Sequence, residues 1–189
     1  MLNYRNKDNL FRIDAARRFL KEFDNHARSI NIDYCMVGGT LLGCIRHGTF
    51  MAWDDDIDLL MSEDDLKRMW DVFSLRYDHA EIIRSWPDDY FEWFVKFKKE
   101  EVIIDVWPYR MSKDGENMET FIGKLPLKKA FPYKTIDFEG SMYSIPNDPN
   151  YFLDRVFPHW RDTVVKRIDG HEGNLVSTES FSGPIRHQF

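Results

Sequence analysis

From Leu10 to Ile30 the apolar residues Leu10, Ile13, Leu20, Phe23, Ala27 and Ile30 recur at helical spacing, with Arg17, Arg18, Lys21 and Asp24 between them, which predicts an amphipathic helix. The next apolar run, Asp33-Tyr-Cys-Met-Val37, is short and ends at Gly38-Gly39, so it reads as a buried strand closed by a turn, with a short helix following over Thr40–Ile45. Asp56-Ile-Asp-Leu-Leu-Met61 predicts a second strand, because Ser62 with Asp65 three positions later is a capping signal for a new helix. That helix carries Leu66, Met69, Trp70 and Phe73 on one face. Ala80–Arg84, Phe91–Lys98 and Val102–Trp107 predict further strands, the last two joined as a hairpin across Lys99–Glu101 and completing a mixed sheet. After Pro108 the pattern becomes irregular. A small hairpin is expected around Glu139-Gly140, and Asp148-Pro149 predicts a capped helix running to Val156. Residues 169–189 have few apolar anchors and are expected to form a mobile tail to a single domain over residues 1–168. The pattern has no internal repeats and predicts an α/β (α+β) fold, a mixed sheet flanked by helices.

Composition narrows what such a fold can do. A chain of 189 residues, 43% hydrophobic and 15% aromatic, buries a core and is not disordered. Its net charge of −6 argues against bulk nucleic-acid binding, which asks for a clustered Lys/Arg surface. Cys35 and Cys44 sit beside apolar residues with neither a zinc spacing nor a disulfide framework, and are expected to be buried, reduced thiols. No run approaches the ~20 apolar residues of a membrane span, and no signal peptide is visible, so a soluble, cytoplasmic chain is expected.

Chemistry concentrates between Gly38 and Asp58. Side chains alternate across a strand, so Asp56 and Asp58 project from one face while Ile57 and Leu59 turn to the core. Two carboxylates so placed repel each other unless a cation sits between them, and Mg²⁺ or Mn²⁺ suits an all-oxygen site that leaves room for substrate phosphate oxygens. A solvated surface pair is the plain alternative. A calcium-loop reading of Asp54, Asp56 and Asp58 fails, because Leu59 stands where the turn glycine is needed and Asp65 where the bidentate Glu is needed. Gly38-Gly39-Thr40 lets backbone approach a ligand and offers amides to a phosphate, or is an ordinary glycine turn. Arg46 and His47 follow as a fixed cation and a titratable donor near the same mouth, His47 having a structural hydrogen bond as its alternative. Asp105 interrupts the apolar run Val102-Ile-Ile-Asp-Val-Trp107 and therefore needs a partner: the shared metal, an attacking hydroxyl whose proton it takes, or a Lys or Arg. Lys96 and Lys98 share one face of the preceding strand and either meet a nucleotide phosphate or form a solvated edge.

Gly-Gly-Thr-Leu-Leu-Gly-Cys-Ile-Arg-His-Gly48, a short spacer and Trp53-Asp-Asp-Asp-Ile-Asp58 resemble the LicD family, which includes bacterial phosphocholine transferases and is related to fukutin and the fukutin-related protein. Val102-Ile-Ile-Asp-Val-Trp-Pro108 is similar to the family's following strand, and Phe138–Pro146 and Tyr151–Trp160 to its last segment; the likeness spans roughly Asp33–Trp160. It implies a nucleotidyltransferase-type fold and transfer of a phospho-alcohol, such as phosphocholine or ribitol phosphate, from a CDP-linked donor to a glycan hydroxyl with release of CMP. It implies metal-binding carboxylates at Asp56 and Asp58 and a third acid at Asp105. Phe157-Pro158 departs from the family's Tyr-Gly before the late Trp, and no site is assigned there. Two other functions stay open: transfer of a nucleoside monophosphate from a nucleoside triphosphate, and a non-catalytic nucleotide- or glycan-binding module.

Overall fold

The computed structural model of the chain describes residues 7–84, 93–167, 175–180 and 185–187. A 23-residue helix, α1 (Lys7–Ser29), buries Ala15, Ala16, Phe19, Leu20, Phe23 and Ala27. It leads into β1 (Tyr34–Met36) and then α2 (Gly38–Leu42), which starts two residues before the predicted Thr40 and continues as a wider, π-type turn over Gly43–His47. Gly48, at φ +72°, closes that turn by donating its N–H to the carbonyls of Gly43 and Cys44. Next come β2 (Asp56–Ser62) and α3 (Glu63–Phe73), with the predicted cap in place: Ser62 Oγ accepts the Asp65 N–H at 3.1 Å.

Three strands follow, β3 (His79–Arg84), β4 (Trp93–Lys99) and β5 (Val102–Met111). Phe91 and Glu92 of the predicted third strand lie outside the described residues. The sheet order is β1-β2-β5-β4-β3, with β2 and β5 parallel and the other neighbours antiparallel, so the mixed sheet expected from the sequence forms. One face, bearing Ile57, Leu59, Val95, Phe97, Ile104 and Val106, is covered by α1 and α3, with Phe97 between Phe23 and Trp70.

The region beyond Pro108 is more ordered than its pattern predicted. β6 (Asn117–Thr120) and β7 (Gly123–Pro126) extend the sheet from β5, and α4 (Leu127–Ala130) follows. β8 (Lys134–Phe138) and β9 (Ser141–Ile145) form the expected hairpin, turning through Glu139 and Gly140 with φ +54° and +78°, as a two-residue hairpin turn requires. α5 (Pro149–Val156) starts as predicted, Asp148 Oδ1 accepting the Tyr151 N–H at 3.0 Å. β10 (Thr163–Arg167) pairs with β11 (Leu175–Ser180), so the stretch read as a mobile tail contributes a strand. Apart from β11 and residues 185–187, that stretch lies outside the described residues. Cys35 and Cys44 are both buried and free, and burial pushes the Cys44 thiol up to about 12. Among the described residues no helix is long and apolar enough to cross a membrane.

Candidate active site

The acids gather where β2 begins. Asp58 and Asp105 are register partners on β2 and β5, and Lys96 on β4 is the partner of Asp105 on its other side. These three side chains therefore form one row on the sheet face away from α1 and α3, and alternation puts Asp56 on the same face.

Asp58 is held by its main chain and its side chain together. Its backbone N–H donates to Thr40 Oγ1 at 2.9 Å, and its carbonyl accepts the Val37 N–H at 3.1 Å. Its carboxylate accepts the Gly39 N–H on Oδ2 at 2.8 Å and the Trp107 Nε1–H on Oδ1 at 3.1 Å. The Trp107 ring is fixed between Phe94, stacked at 4.3 Å, and Phe121 at 4.5 Å, so the donor it offers is already in position. A Cβ on Gly38 would lie 2.2 Å from Asp58 Oδ2, and one on Gly39 would lie 2.5 Å from Asp54 Oδ2. Gly38-Gly39-Thr40, predicted to cradle a phosphate, is thus engaged in seating acids: the Gly39 amide donates to the Asp58 carboxylate and Thr40 Oγ1 accepts the Asp58 N–H.

One carboxylate oxygen from each of Asp54, Asp55 and Asp56 lies within 4.8 Å of the others. Burial, reinforced by the charges of Asp56 and Asp55, holds the Asp54 carboxyl well above the usual range, with Arg12 opposing. Asp58 is raised well above it too, first by burial and then by Asp56 and Asp54. Carboxyls crowded this way retain protons unless a cation replaces them. An all-oxygen cluster, with Asp54 pressed against Gly39 where a side chain would intrude, fits a hard divalent ion such as Mg²⁺ or Mn²⁺. Asp54, Asp55 and Asp56 are the residues that can hold it.

Of the predicted trio only Asp56 belongs to this cluster. Asp58 stands behind it with both oxygens accepting hydrogen bonds, and Asp105 is bound by Lys96 Nζ at 2.7 and 3.0 Å. The ion pair was one of the partners foreseen for Asp105, and it draws Lys96 away from the phosphate role. Burial outweighs that ammonium, and the Asp105 carboxyl is pushed up to about 6. Asp54, weighed in the sequence only as a calcium-loop ligand, and Asp55 were not assigned to the Mg²⁺ or Mn²⁺ site, because they precede the strand, where alternation assigns no face; the run of acids after Trp53 was the available signal.

Arg46 and His47 are also placed elsewhere. Arg46 is buried, its Nη1 donating to the carbonyls of Trp160 and Thr163 at 2.8 and 3.0 Å, and burial lowers it to about 10. Its Nε donates to His47 Nε2 at 2.9 Å, so that ring nitrogen is an acceptor and the proton of the neutral ring sits on Nδ1. Lys98 lies two strands from Asp56 in the same row, with Ile103 of β5 between them, and its Nζ is 3.9 Å from Glu101. Glu139, at the β8–β9 turn, braces the approach to the acids: it accepts from Arg17 Nη2 at 2.6 Å, Thr49 Oγ1 at 2.5 Å and the Phe50 N–H at 3.0 Å.

Burial and the Arg46 charge lower His47 from 6.5 to about 4. Above pH 6.5 neither folded nor unfolded chain carries this proton; between pH 6.5 and 4 only the unfolded chain does, so stability should fall across that window and level off below it. Discounted for the partly exposed ring, the loss is on the order of 1–2 kcal/mol. Urea denaturation at several pH values should show this part of the slope in wild type and not in His47→Gln; equal slopes would remove His47 as its source.

The profile of the LicD/FKTN/FKRP nucleotidyltransferase domain matches residues 31–148, more than half of the chain and all of the acid-bearing segment. The chain belongs to the LicD family. Over 49 residues, 25% of its length, it is 49% identical to the lipopolysaccharide cholinephosphotransferase LicD of Haemophilus influenzae. Over 140 residues, 69% of its length, it is 27% identical to an uncharacterized protein of Rickettsia typhi. These matches span 18% and 41% of the two relatives' own lengths. Among solved structures, ANT(2″)-Ia in complex with adenylyl-2″-tobramycin resembles it at 16% identity and a TM-score of 0.51, covering 75% of this chain and 78% of that one. The LicD domain therefore has the nucleotidyltransferase fold that its sequence implies.

Proposed function

We propose that this LicD-family chain is a metal-dependent phosphotransferase that moves a phospho-alcohol, such as phosphocholine or ribitol phosphate, from a CDP-linked donor to a glycan hydroxyl and releases CMP. The observation that carries this reading is the carboxylate cluster Asp54–Asp56 inside the family-matched segment, with Asp54 seated against Gly39 and Asp58 behind it against Gly38. The cholinephosphotransferase relative supports the choice of transferred group. A divalent ion held by these acids supplies charge neutralisation for a diphosphate. Asp58, fixed by Gly39 and Trp107, keeps the strand carrying Asp56 in register with the glycine turn. In the transfer itself the acceptor oxygen forms a bond to the phosphorus bearing the alcohol, the bond from that phosphorus to the CMP oxygen breaks, and the hydroxyl proton passes to a carboxylate. Asp105 suits this last role, since its carboxyl is raised toward neutrality and Lys96 holds it in place.

A thermal-shift panel with Mn²⁺ tests the reading without an acceptor. CDP-choline, CDP-ribitol, CDP-glycerol, CTP, ATP and UDP-sugars are compared on wild type and Asp56→Asn. A CDP-alcohol at ~100 times its dissociation constant should stabilise wild type by ~2.7 kcal/mol only when Mn²⁺ is present, and leave the variant unmoved. A response confined to nucleoside triphosphates would replace the proposal with nucleotidyl transfer. Binding of donor and metal without product from any acceptor would leave a binding module.

A further inference from the structure

The cation that stands beside the acid cluster comes from outside the family-matched segment, which opens at residue 31. Arg12, in the first half of α1, donates from Nη2 to the carbonyl oxygen of Asp55 at 2.6 Å. Its side chain lines a small cavity with Asp54, Asp55, Asp56 and Phe50. The volume of that cavity is about 20 Å³, room for one water-sized species. Anything as large as a diphosphate must therefore meet the cluster from outside that cavity, and Arg12 is the cation among the residues that line it. Of the other cations singled out in the sequence, Arg46 is committed to buried carbonyls and Lys96 to Asp105, while Lys98 stands two strands from Asp56 with its Nζ 3.9 Å from Glu101. Arg12 differs from Lys96 in having a carbonyl rather than a carboxylate as its partner, and from Arg46 in being only partly buried. The carbonyl that anchors the guanidinium is neutral and uses one of five N–H donors, while the charge acts on the nearby Asp54 carboxyl. A planar donor fork is the side chain best matched to paired phosphate oxygens.

We infer that Arg12 is a diphosphate-binding residue of this site, placed by the Asp55 carbonyl to meet an anionic donor as it engages the acid cluster. The inference rests on the reading of the site as one that uses a diphosphate. It carries a consequence that a merely structural tether would not. Without ligand, the positive charge beside Asp54–Asp56 opposes entry of a divalent ion; with a diphosphate present, the same charge favours binding.

Mn²⁺ affinity, followed by the electron paramagnetic resonance signal of the free ion, is to be measured for wild type, Arg12→Gln and Arg12→Lys. Affinity for inorganic pyrophosphate and for CDP-choline is then measured by calorimetry at saturating Mn²⁺. Arg12→Gln should bind Mn²⁺ more tightly than wild type and pyrophosphate about tenfold more weakly, as expected for loss of a charge-assisted hydrogen bond. Arg12→Lys should fall between them. Weakening of both ligands in Arg12→Gln would make Arg12 a tether for Asp55 and overturn the inference, as would no change in either, or a wild type that does not bind pyrophosphate. If pyrophosphate binds as described and no CDP compound does, the assignment of Arg12 stands and the CDP-donor reading falls.

Discussion

Gly38→Ala is expected to abolish Mn²⁺-dependent stabilisation by any donor and to lower the thermal midpoint by roughly 10 °C, a loss of about 3–5 kcal/mol in a domain of this size. Two effects combine. Gly38 adopts φ +52°, a conformation in which a β-carbon costs about 1–2 kcal/mol. The new methyl would also lie 2.2 Å from Asp58 Oδ2, 2.5 Å from its Cγ and 2.9 Å from its Cβ. The side chain it meets is short, buried, and held from both sides by Gly39 and Trp107, so it has no ready escape. If it moves, it abandons the Gly39 amide; if it stays, the turn opens and β1 loses its fit to β2. Gly115→Ala separates the two effects, because Gly115 has φ +70° but no atom within 4 Å of the added carbon. That variant should show the backbone strain alone, about 1–2 kcal/mol, with donor response intact. Equal losses in the two variants would mean that the contact with Asp58 contributes nothing.

The elements legible in the sequence are those whose cause is local. Ser62 with Asp65, Asp148 with Pro149 and the Glu139-Gly140 turn each fix an element boundary through neighbours a few residues away, and each is found where its chemistry puts it. β6 and β7 have no such signal: Asn-Met-Glu-Thr and Gly-Lys-Leu-Pro are too short and polar to show a period, and they are strands because Met118 and Leu125 are drawn into the core from an extension of β5. The site divides the same way. Alternation along β2 set Asp56 and Asp58 on one face. Which carboxylate oxygens face outward depended on partners distant in the chain: Trp107, 49 positions after Asp58, and Lys96, brought to Asp105 by the hairpin register. Arg12 was beyond the reach of any local reading, since only the packing of α1 brings it to Asp55.

Arg46→Ala is the other substitution with a large expected effect, and it should act on the fold rather than on ligand binding. An arginine within a few residues of a glycine-rich turn invites a phosphate role, yet this one is 3% exposed. It spans from the π-type turn to the chain beyond α5, where Trp160 and Thr163 offer their carbonyls, and its Nη2 lies 3.7 Å from Met51 Sδ. Truncation leaves two carbonyls without these donors and a hole the size of the lost side chain, which together cost about 3–5 kcal/mol. Arg46→Lys keeps the charge and part of the stem but cannot reproduce the planar fork, so it should lose less, about 1–3 kcal/mol. Urea denaturation measures both losses. The discriminating readout is pyrophosphate affinity of folded Arg46→Lys at saturating Mn²⁺: a structural arginine leaves it near the wild-type value. A stable Arg46→Lys with a tenfold weaker affinity would return Arg46 to the ligand and require the turn to open when the donor binds.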